Sequence, residues 1–474
     1  MAVHNSKIKK YYPILMALLF ILVMSFVAVR FLFDSYISTG YDLGIFTQIC
    51  KSTLQGHLLY SSMTGYSQLA WHFSPIMFLV VPIYWIFHCP QSLVVFQIVC
   101  IGFGGYLIYY IAQKNNLSYK KSLFVELLFF VNPLVWGLIL CDFHEICFAI
   151  PFILLMLIAY MNKRWKMYWI FMALSLLIKE DIIASIVVFG LSMFVYDYFK
   201  TKKINRIALI TIISGVFIYI VGVLVSVKCS NGEFPRMLTY ASVRYSYADQ
   251  TIIHKIQSFL TTFTDSHAIL LILAYLLPLG FLIFGGWQYA IAGLFILAMN
   301  MASTDVGQHV ILLQTTAGAI PYLFVAFIIT LSKINLHKNE MIVFSFLILM
   351  SLVMLISPVS RIHALTNPNQ HDADINQIIK GIPNGVSITT TNNIIDHLVY
   401  RTDAYLGQWD VGVPNVGNIQ WGYPCIETQY VLVDLEEDTG ETKWTQDIEN
   451  GIPDYVLVNQ IDGCKLYELR SDVK

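Results

Sequence analysis

Charge is what this sequence has least of. Lys, Arg, Asp and Glu together make up 12% of its 474 residues, about half of the roughly 25% usual in soluble globular proteins. The deficit lies in long apolar runs rather than being spread along the chain. That excludes an ordinary water-soluble domain, because runs of about 20 apolar residues match the thickness of a bilayer's hydrocarbon core. An excess of charge of either sign is missing too, with 29 basic against 30 acidic residues. Nucleic acid is therefore not expected as a partner. The eight cysteines include no C-x-x-C pair and no zinc-type spacing. Most lie in or beside apolar runs, where cysteine acts as a small apolar residue. Only Cys425 and Cys464 share a hydrophilic region, and whether they pair is left open by the sequence.

What is present is apolar: 57% of residues are hydrophobic, and the mean hydropathy is +0.64. The expected fold class is a polytopic α-helical membrane protein. The first run, "YYPILMALLFILVMSFVAVRFLF", is too long for a signal-peptide core and no A-x-A-type site follows it, so it reads as a retained span. About 11 spans are expected, over 11–33, 74–111, 121–140, 145–161, 166–179, 182–199, 204–228, 267–284, 286–302, 309–332 and 339–358. Basic residues cluster in "NSKIKK", "QKNNLSYKK", "NKRWK", "KTKKINR" and "SKINLHK". Positive loops stay in the cytoplasm, which puts the N-terminus inside and outer loops at 34–73 and 229–266. Residues 74–111 hold two apolar stretches around "FHCPQ". One net crossing is expected there, with 74–88 shallow or bent at Pro90, since this keeps Asp42 and Asp142 on one face and "KNNLSYKK" inside.

The outer face then gathers the unusual polar groups. "STGYDLGIFTQI" carries Tyr41 and Asp42 just beyond the first span. Asp42 could cap the short helix "LGIFTQICKSTL", ligate a cation, or take a proton from a hydroxyl. "LILCDFHEICFAI" places Asp142, His144 and Glu145 in one short turn. The two acids are three apart and share a face if the turn is helical, a pattern suited to Mg²⁺ or Mn²⁺ or to an ordinary polar turn. "WHFSPIMF" brings His72, "LLIKEDI" brings Lys179, Glu180 and Asp181, and "TDVGQHV" brings Asp305, Gln308 and His309. Each fits a tight turn between spans; a Lys there also suits a phosphate. Ionisable groups at membrane depth are costly and usually face a cavity or a partner.

Residues 359–474 change period. "DADINQIIKGIP" reads as an amphipathic helix closed by Gly381 and Pro383. "GVSITTT", "TQYVLVDL" and "DYVLVNQ" read as strands, while "NNIIDHLV" (with an Asn cap) and "TKWTQDIEN" read as helices. This predicts a small extracytoplasmic α/β domain without a phosphate fingerprint or nucleophile elbow. Its Asp396, His397, Asp403 and Asp434 are expected to be structural or gating groups rather than catalysts.

"YDLGIFTQ", "HFSPIMFLVVPIY", "DFHEICFAIPFILL", "LLIKEDI" and "NGVSITTTNNIIDHLVYR" together resemble the prokaryotic membrane proteins grouped as domain of unknown function 2079, in order and over nearly the whole chain. That family is similar to the GT-C glycosyltransferase superfamily. The likeness implies an essential acid in the first outer loop, a second acidic motif in a later one, and a polyprenyl-phosphate-linked sugar donor. Asp42 matches the first acid, and Asp142 with Glu145 the second motif. His72, His144 and the "KED" triplet match patterns of the uncharacterised family alone. The chain departs from the family's common "DFHPE" by lacking the proline.

The expectation is thus a GT-C-like membrane domain over 1–358 followed by a soluble domain over 359–474. Asp42, Asp142 and Glu145 would be catalytic and would hold a divalent cation, Mg or Mn. Tyr41, His72, His144, Lys179, Glu180, Asp181 and His309 would contact the donor. The rival expectation is a transporter or lipid-handling protein using the same polar groups.

Overall fold

A computed structural model describes residues 11–36, 40–230, 234–245, 265–311, 314–335, 339–356, 370–406, 428–435 and 454–470, with scattered positions between 251 and 263. Most of it is helical. Helix α1 (Tyr12–Leu32) begins with proline in its first turn, where the missing amide hydrogen would have had no helical partner. Helix α2 (Ile45–Leu54) follows the first acidic motif, and α3 (Val81–Phe87) follows a 3₁₀ turn over Pro75–Leu79. Then come α4 (Gln91–Lys114), α5 (Tyr119–Phe130), α6 (Pro133–Ile139), α7 (Ala149–Met161), α8 (Trp165–Leu176), α9 (Glu180–Thr201) and α10 (Arg206–Cys229). The later helices are α11 (Arg236–Arg244), α12 (Ser266–Leu276), α13 (Trp287–Met301), α14 (Ala319–Leu331) and α15 (Glu340–Met354).

Among the described residues five helices are long and apolar enough to cross a membrane: Tyr12–Arg30, Gln91–Lys114, Glu180–Thr201, Arg206–Cys229 and Leu282–Met301. The pair α5 and α6, bent by 47° at Val131–Asn132, makes a sixth if counted as one span. The expected 11 spans therefore reduce to five or six of span length, and other apolar runs form helices of 10–17 residues. Proline and polar breaks cause the shortfall. Hydropathy integrates over a window and does not register that Asn132 caps a new helix with Pro133 in its first turn. Residues 74–111 contain one span-length helix, as the single crossing requires. Before it, α3 stops where His88 adopts a left-handed φ of +50°, and Pro90 precedes α4.

Apolar side chains on the outside of the bundle mark the lipid face. Leu18, Leu22 and Phe26 of α1 and Phe217, Ile220 and Leu224 of α10 are all exposed. Close helix approaches use glycine, as in other membrane bundles. A Cβ on Gly102 of α4 would come within 2.3 Å of Ile21 in α1, and one on Gly104 within 2.3 Å of Ile150 in α7.

The two ends of the bundle differ in chemistry. A cavity of about 660 Å³ touches Lys114, Lys163, Asn205 and Lys333, so the basic connections from four places in the sequence lie at one end. Lys121 pairs with Glu340 at 3.1 Å. The other end carries the acidic motifs and the C-terminal sheet. After a separate small hairpin of β1 (Tyr60–Ser61) and β2 (Tyr66–Ser67), that sheet orders its strands β4 (Asp403–Leu406), β3 (Ser387–Thr390), β5 (Tyr430–Asp434), β7 (Cys464–Leu469) and β6 (Tyr455–Ile461). Strand β3 is parallel to β4 and β5. Strand β7 runs antiparallel to β5 and to β6. Helix α16 (Gln370–Gly381) precedes the sheet.

The helix expected over "NNIIDHLV" is instead a 3₁₀ turn, Ile395–His397. Ile394, Ile395, Leu398 and Val399 are all buried, so packing on every side decides the local path. Asn393, one of the two possible caps, donates its amide to Asp434 at 2.8 Å. "TKWTQDIEN" and Cys425 lie outside the described residues.

The sheet domain rests on the first loop. Lys51 Nζ donates to the carbonyls of Thr402 (2.7 Å) and Val399 (3.3 Å), and Gln48 Nε2 to that of Ala404 (3.3 Å). His397 stacks on Tyr36 at 4.2 Å. Burial pushes the His397 imidazole down to about 4, although Asp34 pulls the other way. A histidine buried neutral contributes stability above its unfolded value near 6.5, and that contribution is lost as pH falls toward 4. Acidification over this window should loosen the domain from the end of α1. Hydrogen exchange over residues 33–36 and 394–399 would rise in the wild type and stay flat in His397→Phe.

Candidate functional site

Asp42 sits in a single π-helical turn, Gly40–Gly44, directly before α2. The N-cap of α2 is Gly44, without a side-chain bond, so Asp42 is not its cap. Its carboxylate instead reaches His144, with Oδ1 3.0 Å from Nε2. The other ring nitrogen, Nδ1, lies 2.9 Å from the carbonyl of Asp142. Both partners are acceptors, so both ring nitrogens donate and His144 is an imidazolium facing an ionised Asp42.

The electrostatics agree. Burial opposes charge on each, but the His144 charge and hydrogen bond hold the Asp42 carboxyl below the usual range. Likewise burial would lower His144, yet Asp42 keeps its imidazole well above 6.5. The turn is fixed from α4, where Gln97 accepts from the His144 amide at 3.1 Å and donates to the Leu138 carbonyl at 2.9 Å. One residue therefore ties the span's first turns to the "CDFHE" loop.

A second buried pair lies beside the first. Glu145, fully buried, accepts from Ser74 Oγ at 3.0 Å and faces Lys179 Nζ at 3.7 Å. The residue after that lysine, Glu180, holds His72 Nδ1 at 2.6 Å. Asp42, His72, Asp142, His144, Glu145, Lys179 and Glu180 thus join into one polar cluster at one end of the bundle. Within it the side chains of His144 and Glu145 are 4% and 0% exposed, whereas that of Asp42 is 36% exposed. Asp142 is buried as well. Asp42 is the acid that an incoming molecule reaches first.

The remaining expected residues fall differently. His309 faces Asp265 at 3.5 Å, on the segment before α12. Asp181 is half-buried in the first turn of α9. Asp305 caps its own 3₁₀ turn through Gly307, and Gln308 reaches back to it at 3.4 Å. The side chain of Tyr41 lies outside the described residues.

Cys141, read as a small apolar residue, completes a potential metal-ligand set. Asp42, Cys141 and His144 each offer one donor atom within 4.8 Å of the others. Burial pushes its thiol up, so an ion there would have to displace a proton from it and another from His144 Nε2. A thiolate, an imidazole and a carboxylate suit a borderline-soft ion better than Mg²⁺. Glu145 is engaged by Ser74 and Lys179. Gln97, Ser74 and Cys141 went unnoticed in sequence because each is one polar or small residue inside or beside an apolar run. From the sheet domain, Asp396 closes over the site's flank, within 2.7 Å of where a Cβ on Gly44 would lie.

The model of a family described as "Predicted membrane protein", domain of unknown function 2079, matches residues 32–452. The chain belongs to that family. The match spans every element of the cluster and most of the C-terminal sheet domain, so cluster and domain are parts of one family unit. No curated protein matches the chain.

Proposed function

We propose that this family member is a GT-C-like glycosyltransferase that moves a sugar from a polyprenyl-phosphate donor to an acceptor outside the cytoplasm. The observation that carries the reading is the part-exposed Asp42 carboxylate held in place by buried His144, at the end of the bundle opposite the basic loops. The acceptor hydroxyl would hydrogen-bond to Asp42, within the reach that proton transfer needs. Its oxygen would form the new bond to the sugar's anomeric carbon as the carbon–oxygen bond to phosphate breaks. The hydroxyl proton would pass to Asp42 and the lipid phosphate would leave. A carboxylate paired with an imidazolium is a weak base, so this transfer would come late, once the bond to the sugar has made the hydroxyl acidic.

Lys179 and His72 would bias the site toward the departing phosphate, and the apolar surface between spans would hold the lipid chain. A divalent cation, if used, would be held by Asp42 with its nearest donors and would neutralise the leaving phosphate. The rival reading, a transporter or lipid-handling protein, is favoured by one feature: the broken span α5/α6, bent by 47°. Transfer of labelled sugar from a polyprenyl-phosphate donor, in membranes with and without the protein, tests the proposal. Lipid flipping without transfer would support the rival.

The orientation is part of the proposal. The basic loops would be cytoplasmic and the acidic cluster with the sheet domain outside, in the cell membrane. A cysteine introduced by Tyr400→Cys, an exposed position of the sheet domain, should react with an impermeant maleimide in intact cells. One introduced by Lys202→Cys should react only after permeabilisation. The opposite pattern would invert the topology and move the site to the cytoplasmic face.

A further inference from the structure

The sheet domain contains a second convergence of metal-ligating side chains, unrelated to the cluster at Asp42. His371 lies in the first turn of α16, Asp434 at the end of β5 and Cys464 at the start of β7. Asp434 and Cys464 are direct cross-strand partners in the antiparallel register, so their proximity is set by the backbone ladder. One donor atom from each of the three residues lies within 4.8 Å of the others. All three are deeply buried, with 6%, 1% and 0% exposure for His371, Asp434 and Cys464.

The surroundings have the form of an outer ligand shell. His371 turns Nε2 to Asp434, 3.1 Å from both carboxylate oxygens. Its opposite nitrogen, Nδ1, faces Asp462 Oδ2 at 3.5 Å. Asp462 is presented by the β6–β7 turn with a left-handed φ of +40°, a conformation unusual for a residue with a side chain. Asn393 donates to Asp434 Oδ2 at 2.8 Å. A carboxylate on the far nitrogen of a ligating histidine and a donor on a ligating carboxylate are the supports that metal sites use to fix tautomer and orientation.

We infer that His371, Asp434 and Cys464 bind a zinc ion that fastens α16 to the β5–β7 ladder. Zinc takes imidazole, carboxylate and thiolate at about 2.0–2.3 Å, which requires donor separations of roughly 3.3–3.8 Å in a tetrahedron. The donor atoms already lie within 4.8 Å of one another, with His371 Nε2 3.1 Å from Asp434, so binding would require a contraction of about 1–1.5 Å at most. On binding, the Cys464 thiol and His371 Nε2, whose hydrogen faces Asp434, would each give up a proton to solvent. The inference is independent of any activity at Asp42.

The test uses the full chain in detergent, purified without chelator from a Cys141→Ser background, so that the Asp42 cluster supplies no thiolate. Elemental analysis should find one zinc per chain. His371→Ala and Cys464→Ser should remove it, and Cys464→Asp, which keeps a ligand, should retain it. After exchange with Co²⁺, the parent should show a near-ultraviolet thiolate-to-cobalt band that Cys464→Asp lacks while keeping its visible bands. The cobalt spectrum of the parent keeps the idea falsifiable if the ligand variants fail to fold. A parent that holds no zinc and gives no thiolate band with added Co²⁺ would overturn it. So would unchanged zinc in folded Cys464→Ser, which would leave a His–Asp hydrogen bond beside an inert thiol.

Discussion

Asp42→Asn should lower sugar transfer by about 10²–10⁴-fold, the usual loss when general-base catalysis is removed, while the protein still inserts and folds. The amide is nearly isosteric and its oxygen can still accept from His144 Nε2, so the π turn and the bond across to the "CDFHE" loop survive. What the amide loses is charge and proton affinity. With no carboxylate beside it, His144 loses the partner that holds its imidazole well above 6.5, and the site loses its most exposed acid. The loss should fall on kcat rather than on KM for the lipid donor, because the lipid chain would be bound elsewhere between the spans. Thermal stability in detergent should fall measurably but by less than for a fully buried pair, since Asp42 is part-exposed and the buried His144 can shed its proton. Transfer within a few-fold of wild type would remove Asp42 from the chemistry. Collapse of the folded protein would make it a structural group instead.

The largest effect on stability is expected at the neighbouring pair. Lys179→Met should destabilise the protein by about 3–5 kcal/mol, the cost of leaving one member of a buried ion pair uncompensated. Glu145 has no exposure and Lys179 almost none, so water cannot replace the lost partner. Ser74 would remain as a hydrogen-bond donor at 3.0 Å, which offsets part of the charge but does not neutralise it. The reverse substitution, Glu145→Gln, should also be damaging, since it removes the carboxylate that faces the buried Lys179 ammonium. Combining the two should cost clearly less than their sum, because a neutral pair of similar volume has no buried charge to satisfy. Denaturation in mixed detergent micelles would measure all four corners of that cycle. Strict additivity would mean that Lys179 and Glu145 do not sense each other.

Much of this molecule is legible in the order of its residues. Charge scarcity and apolar runs fix it as a helical membrane protein, and the positions of the lysines and arginines predict which connections share an end. The cavity joining Lys114, Lys163 and Lys333 has those connections together. The placing of Asp42 beside "CDFHE", the single span-length helix in 74–111 and three of the tail's strands, β3, β5 and β6, are readable from pattern, whereas β4 and β7 are not. Those features depend on local composition and on the parity of crossings, which a sequence carries directly.

What the sequence could not decide depends on contacts between distant segments. The number of full-length spans fell because helices end where a cap or a proline stops them, and a window of hydropathy averages across such breaks. Whether Asp42 capped its own helix or reached elsewhere turned on His144, 102 residues away. Glu145 was expected as a ligand from its place in the turn, and only the fold shows that Ser74 and Lys179 face it. Cys141 and Gln97 drew no notice as single residues, and Cys464 only as a possible partner for Cys425, since a side chain's chemistry is set by what faces it. In a bundle packed from many helices, those neighbours come from other parts of the chain.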